Sequence, residues 1–265
     1  MLERHGLAPR RALGQNFVVD PNTVRRIARL ADVGPGDRVV EIGAGLGSLT
    51  LALAATGADV TAIEIDRRLV PVLREVVEPV GVRVVAADAM TLDWDELLSG
   101  RPRWVLVANL PYNVATPIVL DLLEGVASIE RMLVMVQREV GERLAAPPGS
   151  AAYGIPSVKL AYRATAKLLG RVSAEVFLPR PNVESVLVGI RRNPAPATPA
   201  EPGRLFSLVR SGFGQRRKML RRSLAGLVTP EAFAAAGVRP EARAEELSVQ
   251  DWGRLSAEPP PVSAT

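Results

Sequence analysis

Cysteine is absent from this 265-residue chain, which excludes disulfides and thiolate metal sites. Histidine occurs once, at His5, so a zinc enzyme is not expected. No apolar run approaches the roughly 20 residues of a membrane span. The opening MLERHGLAPRRALGQNF has no apolar signal-peptide core. A cytoplasmic protein with no membrane partner is the expectation. Lysine appears only at Lys159, Lys167 and Lys218, so the basic balance, a formal net charge of +5, rests on arginine. Such a balance attracts polyanions, but arginine-rich, lysine-poor usage also follows from a G+C-rich genome. Clustering of the charge decides between the two.

From about residue 38, short apolar runs alternate with helix-like segments. RVVEIG, DVTAIEID, VRVVAAD, RWVLVANLP and ERMLVMVQRE read as strands. SLTLALAATG, RRLVPVLREVVEPVG and TPIVLDLLEG read as helices, the second weakened by Pro71. Near-continuous apolar strands separated by helices indicate a parallel sheet covered on both faces. The expected fold is therefore doubly wound α/β. After residue 145 the order loosens. PPGSAAYG is a loop, IPSVKLAYRATAKLL a helix passing into a strand at an open boundary, and ESVLVGIRR a strand. NPAPATPAEPG, 193–203, reads as a Pro-rich linker. The expected organisation is an α/β domain over 1–192, that linker, helices over 204–255 and a disordered tail over 256–265.

EIGAGLGSLT follows the first strand and opens a helix, with Gly43, Gly45 and Gly47 spaced G-x-G-x-G. Glycines there let the backbone approach a ligand at the carboxyl edge of a sheet. A dinucleotide fingerprint has its third glycine one residue later, where this chain has Ser48. The spacing disfavours a nicotinamide or flavin and suits a nucleoside without a pyrophosphate, such as S-adenosylmethionine. Glu64 ends the second strand, where a carboxylate can accept both hydroxyls of a ribose. Asp88 ends the third and suits an adenine amine. Alone, each acid reads better as a cap. At the ends of successive strands beside a glycine loop, they read as a ligand edge.

Asn109, Leu110, Pro111 and Tyr112 follow the fourth strand at the same edge. Beside a methyl donor, this turn suits methylation of an adenine amine, a poor nucleophile because its lone pair is delocalised into the ring. An amide oxygen and a backbone carbonyl that accept its two hydrogens favour a pyramidal nitrogen aimed at the methyl. Pro111 stiffens the turn and lacks a competing N–H. Tyr112 offers a ring for stacking. No strong general base is needed, because the methylated nitrogen is acidic enough to lose its proton to water. In isolation the tetrapeptide is equally an ordinary turn; its place after the glycine loop decides.

LGQNFVVD, EIGAGLGSLT, AIEID, AADAM, NLPYNVATPI, VQREVGERL, VFLPRPNVESV and FGQRRKMLRRSL, in this order, resemble the KsgA family of ribosomal RNA adenine dimethyltransferases across residues roughly 8 to 255. The resemblance implies a Rossmann-like class I methyltransferase fold with a small C-terminal helical domain. It implies two methyls on each of two adjacent adenines near the 3′ end of small-subunit ribosomal RNA. The small ribosomal subunit is the implied partner, and a monomer is expected. Asn16, Val18, Gly43, Gly45, Glu64, Asp88 and Asn109 are the implied contacts of S-adenosylmethionine, and no metal is implied. Val18 and Ala44 depart from the family's commoner leucine and proline, both small apolar changes. GQNF, 14–17, becomes an arm over the donor. Phe177 becomes a second ring, opposite Tyr112.

The charge does cluster. No acid lies between Arg204 and Pro230, where Arg210, Arg216, Arg217, Lys218, Arg221 and Arg222 stand. Read as a helix, QRRKMLRRSLAGL puts Leu220, Leu224 and Leu227 on one face and the bases on others. A solvated helix normally mixes in acids, so these six are expected to meet RNA phosphates. Arg4, Arg10 and Arg11 would extend the patch. Competing readings are an Erm-type large-subunit methyltransferase, a non-enzymatic assembly factor on the same fold and, more remotely, a nicotinamide oxidoreductase. LGQNFVVD and leucine at position 110 favour the small-subunit enzyme. Intact Asn109, Pro111 and Tyr112 favour catalysis.

Overall fold

The computed structural model describes residues 5–10, 13–98 and 103–259. Its elements in chain order begin with β1 (Phe17–Val18), α1 (Pro21–Ala31), β2 (Arg38–Ile42), α2 (Ser48–Ala54), β3 (Asp59–Glu64), α3 (Val70–Val77) and β4 (Arg83–Ala86). There follow α4 (Trp94–Leu98), β5 (Trp104–Asn109), α5 (Ala115–Gly125), β6 (Ile129–Gln137), α6 (Arg138–Leu144), α7 (Ile155–Arg163), β7 (Ala164–Val172), β8 (Phe177–Leu178) and β9 (Ser185–Arg192). The last are α8 (Pro202–Gly214), α9 (Leu220–Ser223), α10 (Pro230–Ala235) and α11 (Val249–Ala257).

Apolar runs such as WVLVAN are buried along almost their whole length because helices cover both faces of the sheet. The strand order is β4-β3-β2-β5-β6-β9-β7. The β4-β3, β3-β2, β2-β5 and β5-β6 pairs are parallel, and β9 runs antiparallel to β6. The chain winds outward from β2 through β3 to β4, then returns to β2's other side with β5. That reversal leaves a crevice at the carboxyl ends of β2 and β5, where open α/β sheets bind ligands. The doubly wound expectation is met, and the open boundary falls between Arg163 and Ala164.

Local signals explain the helix starts. Asp20 accepts the amides of Asn22 and Thr23 and so caps α1, with Pro21 in its first turn. Pro71 likewise sits in the first turn of α3. It therefore starts the helix where weakening was expected, because no intrahelical N–H bond is needed there.

Two compact units divide the chain: Met1–Gly141 with Lys167–Arg192, and Glu142–Ala166 with Asn193–Thr265. This differs from a single domain over 1–192. The segment Glu142–Ala166 joins the C-terminal helices because Tyr153, Val158 and Tyr162 bury their side chains with Leu205, Phe233 and Trp252. The expected linker is packed: Ala197 N–H donates to the carbonyl of Tyr162, whose hydroxyl donates to the carbonyl of Ala200. The tail begins later than expected, since Ser256 and Ala257 belong to α11 and Arg204 donates to the carbonyls of Ser256 and Glu258. The rest of that tail, from 260, and both Arg4 and Arg11 lie outside the described residues.

The continuous basic helix is replaced by a turn and a short helix. Leu220 N–H donates to the carbonyl of Ala242 and Arg221 N–H to that of Pro240, so tertiary partners displace helical ones. Leu220 and Leu224 are buried, whereas Leu227 is 38% exposed. Among the described residues no helix is long and apolar enough to cross a membrane.

Gly47 caps the start of α2 at φ +84°, and a Cβ there would lie 2.7 Å from Val77 Cγ1 on α3. Left-handed backbone costs an alanine about 1–2 kcal/mol, and overpacking adds about 1–3 kcal/mol. Gly47→Ala is therefore expected to lower the urea midpoint by the equivalent of about 2–5 kcal/mol with an unchanged m-value. Wild-type stability would refute this account of the loop.

Candidate functional site

A cavity of about 820 Å³ opens at the carboxyl ends of β2, β3 and β5. Its wall contains Gly43 and Gly45 from the loop after β2, Glu64 from β3, and Asn109, Leu110, Pro111 and Tyr112 from the turn after β5. Asn16, just before β1, and Val18 within it also line the cavity. Most of the residues expected at the ligand edge thus share one volume.

Glu64 anchors the glycine loop. It is 4% exposed, and its two carboxylate oxygens accept the amides of Gly45 (2.7 Å) and Asp66 (2.8 Å). Burial pushes this carboxyl above the usual range, while the two amides pull it back. Each oxygen keeps a lone pair for a ligand. Asp66 is held low, at about 2, chiefly by Arg68, and also accepts from the Gln15 side-chain amide at 3.1 Å. That last bond ties down the N-terminal arm.

The arm is fixed at three further points. Val18 and Phe17 pair with Phe177 and Leu178 across β1 and β8. The Phe17 ring lies over Gly45, where a Cβ would be only 3.0 Å from Phe17 Cε1. Asn109 donates its Nδ2 to the carbonyl of Asn16 at 2.9 Å. No described donor reaches Asn109 Oδ1, which remains an acceptor at the cavity wall. Half-buried Tyr112 exchanges a hydrogen bond of 3.0 Å with Ser185 at the start of β9, and burial raises its hydroxyl above the usual tyrosine range. An amide acceptor and an anchored ring beside a nucleoside-sized cavity can hold and orient a planar amine.

Two expected residues stand elsewhere. Asp88 lies beyond β4 and does not line the cavity; its Oδ1 accepts the Met90 amide at 2.9 Å, the local turn role of such a residue. Phe177 is 3% exposed and packs into the core with Val24 and Leu187, because strand alternation turns it inward. Its neighbour Leu178 lines the cavity in its place.

Two wall or support residues were missed by sequence reading. Glu41 lines the cavity at 2% exposure, and its signal was an acid inside an apolar strand. Ser185 had no local signal, being 73 residues from the tyrosine it holds.

In the second unit the six expected phosphate contacts are all exposed. Arg216 pairs with Glu245 and Arg221 with Glu241, acids distant in sequence. Among the described residues no ion pair involves Arg210, Arg217, Lys218 or Arg222. No cluster of His, Asp or Glu among the described residues is placed to hold a metal ion.

A family profile described as "Ribosomal RNA adenine dimethylase" matches residues 6–258. A "Ribosomal RNA small subunit methyltransferase A" from Kineococcus radiotolerans is 50% identical, covering 98% of this chain and 89% of that protein. The solved 23S rRNA methyltransferase ErmE is 26% identical with a TM-score of 0.72, covering 91% of this chain and 98% of its own. A solved dimethyladenosine transferase from Plasmodium falciparum superposes with a TM-score of 0.78 at 21% identity, covering 90% of this chain and 95% of that one, and so shares the fold.

Removing the Glu64 carboxylate orphans two buried amides at about 1–3 kcal/mol each. Glu64→Ala is expected to lose roughly 2–6 kcal/mol of stability in urea without any ligand present. Unchanged stability would show that the loop holds itself.

Proposed function

This chain belongs to the ribosomal RNA adenine dimethylase family, and from that premise we propose how its own residues serve the reaction. It is an S-adenosylmethionine-dependent enzyme of ribosome biogenesis that dimethylates adjacent adenines of small-subunit ribosomal RNA. When bound, S-adenosylmethionine supplies an electrophilic methyl group. The cavity suits it: about 820 Å³ fits a nucleoside-sized ligand. The glycine loop brings backbone to the wall, and two buried carboxyls, Glu41 and Glu64, meet a ligand that carries positive charge.

The observation that carries the reading is that the Asn109–Tyr112 turn and the glycine loop line the same cavity. Asn109 Oδ1 and a backbone carbonyl of the turn accept the two hydrogens of the adenine amine and aim its lone pair at the methyl. As the N–C bond forms, the S–C bond breaks, and the surplus proton leaves to water. Tyr112 stacks on the extruded base, its ring set by Ser185. Asn16, Val18, Gly43, Gly45 and Glu64 hold the donor, with Glu64 taking the ribose hydroxyls on its remaining lone pairs. Roles for Asp88 at the donor's adenine and Phe177 at the base are not carried by the cavity wall, which neither residue lines.

The partner is ribosomal RNA. We assign the adenines to the 3′ end of the small-subunit RNA, recognised by a monomer in the cytoplasm. The greater likeness to the small-subunit relative, 50% against 26% for ErmE, supports this over a large-subunit target. Labelled S-adenosylmethionine with unmethylated small and large subunits, followed by mapping of the modified bases, tests it.

Asn109→Ala is expected to slow single-turnover transfer by about 100-fold or more while RNA binding survives. Tyr112→Ala forfeits stacking of about 1–3 kcal/mol. Tyr112→Phe retains the ring and gives up a hydrogen bond of about 0.5–1.5 kcal/mol, so it stays the more active. Wild-type transfer by Asn109→Ala would end the catalytic reading of the turn.

Arg210, Arg217, Lys218 and Arg222 are proposed to meet phosphates, whereas Arg216 and Arg221 are partly engaged by Glu245 and Glu241. Neutralising Arg217, Lys218 and Arg222 together is expected to flatten the salt dependence of subunit binding by about 0.7–0.9 for each phosphate left without its cation. A wild-type slope in that triple variant would place these charges in solvent.

A further inference from the structure

The cavity does not end at the sheet edge. Helices α1 and α2 pack on one another, and both contribute to its wall: Pro21, Val24 and Arg25 from the first, Ser48, Leu49 and Leu51 from the second. Among the described residues Arg25 is the only basic side chain that lines the cavity, and the only acids there are Glu41 and Glu64. Arg25 is exposed, and it makes no ion pair with a described residue. Asp20, the cap of the same helix, is engaged by the amides of Asn22 and Thr23 and by the Thr23 hydroxyl. The Arg25 guanidinium is steadied from one side, where its Nη2 donates to Asn22 Oδ1 at 2.7 Å. A guanidinium has five N–H donors in a fixed fork. Asn22 is its one hydrogen-bond partner among the described residues, so most of the fork is left for an anion.

We propose that Arg25 receives the carboxylate of the methyl donor's amino-acid end and so selects a donor that carries that end. This rests on the reading of the cavity as the donor site. S-adenosylmethionine is positive at its sulfonium and ammonium groups and negative only at that carboxylate. Near Glu64 a second carboxylate would be repelled. Asn109 Oδ1 and the carbonyls of its turn are acceptors and have nothing to donate to it. Arg25 supplies the fixed cation that the carboxylate needs, in a fork that can take both oxygens at once. The pair lies at the rim and in contact with water, so its contribution is modest and falls as salt is added. Its value is discrimination: a nucleoside without the amino-acid end leaves Arg25 unpaired.

The test pairs one substitution with one change in the ligand. Calorimetry of the whole protein measures the affinity of wild type and Arg25→Gln for S-adenosylmethionine and for decarboxylated S-adenosylmethionine, which keeps the adenine, ribose, sulfonium and amine. Arg25→Gln is expected to bind the complete donor about 3- to 10-fold more weakly than wild type at low salt, with the gap narrowing as salt rises. Toward the decarboxylated donor the two proteins are expected to be equal, or the variant slightly tighter, because a repulsion between cations has been removed. An equal loss for both ligands would overturn the proposal, since a carboxylate contact cannot be lost by a ligand without a carboxylate. That comparison also separates the proposed contact from a general disturbance of the fold. Unchanged affinity for the complete donor would overturn it as well. A shallower salt dependence of subunit binding in the same variant would then assign Arg25 to an RNA phosphate. Failure of the wild type to bind either donor would instead sink the reading of the cavity.

Discussion

Glu64 is nearly out of water at the end of β3, where it accepts the amides of Gly45 and Asp66. A carboxylate is tolerable in such a place only when several donors meet it. Those donors are backbone, so the cost of burying the charge is offset by fixing the loop's path. Gly45 is then held where the Phe17 ring can lie against it, and Gly47 where α2 can pack on α3. The cavity wall is thus a consequence of where one charge was put.

The turn after β5 is likewise braced from outside itself. Asn109 is held by the carbonyl of Asn16, Leu110 N–H donates to the carbonyl of Met135, and Tyr112 is held by Ser185. Each brace comes from a different element of the first unit. A turn braced at three points loses little freedom when a substrate arrives, which is what orientation-driven chemistry requires.

The strands were legible because burial on both faces demands an unbroken apolar run, as in WVLVAN. The glycine loop and Asn109–Tyr112 were legible because their residue types have few other uses at a strand end. The basic stretch misled because local spacing cannot reveal that the carbonyls of Ala242 and Pro240 claim the amides of Leu220 and Arg221, or that Glu241 and Glu245 return to it. Helix α7 misled similarly: its apolar face announces a need for a partner without naming α8. Phe177 and Leu178 alternate across β8, so a one-residue difference decided which faces the cavity. Glu41 was visible as an acid in an apolar run and was passed over for the more conspicuous acids at strand ends.

The pairing of Phe17 with Leu178 joins the first strand of the chain to a segment near the end of the same unit. On the ribosome, Phe17 emerges long before its partner. At about 5–20 residues per second, the interval is on the order of ten to thirty seconds. During that time β2, β3 and β5 can assemble their edge, but the arm has no strand to pair with. Pairing of β1 is therefore a late event of synthesis, and until then the arm is held over the edge only by its contacts with Asp66, Gly45 and Asn109.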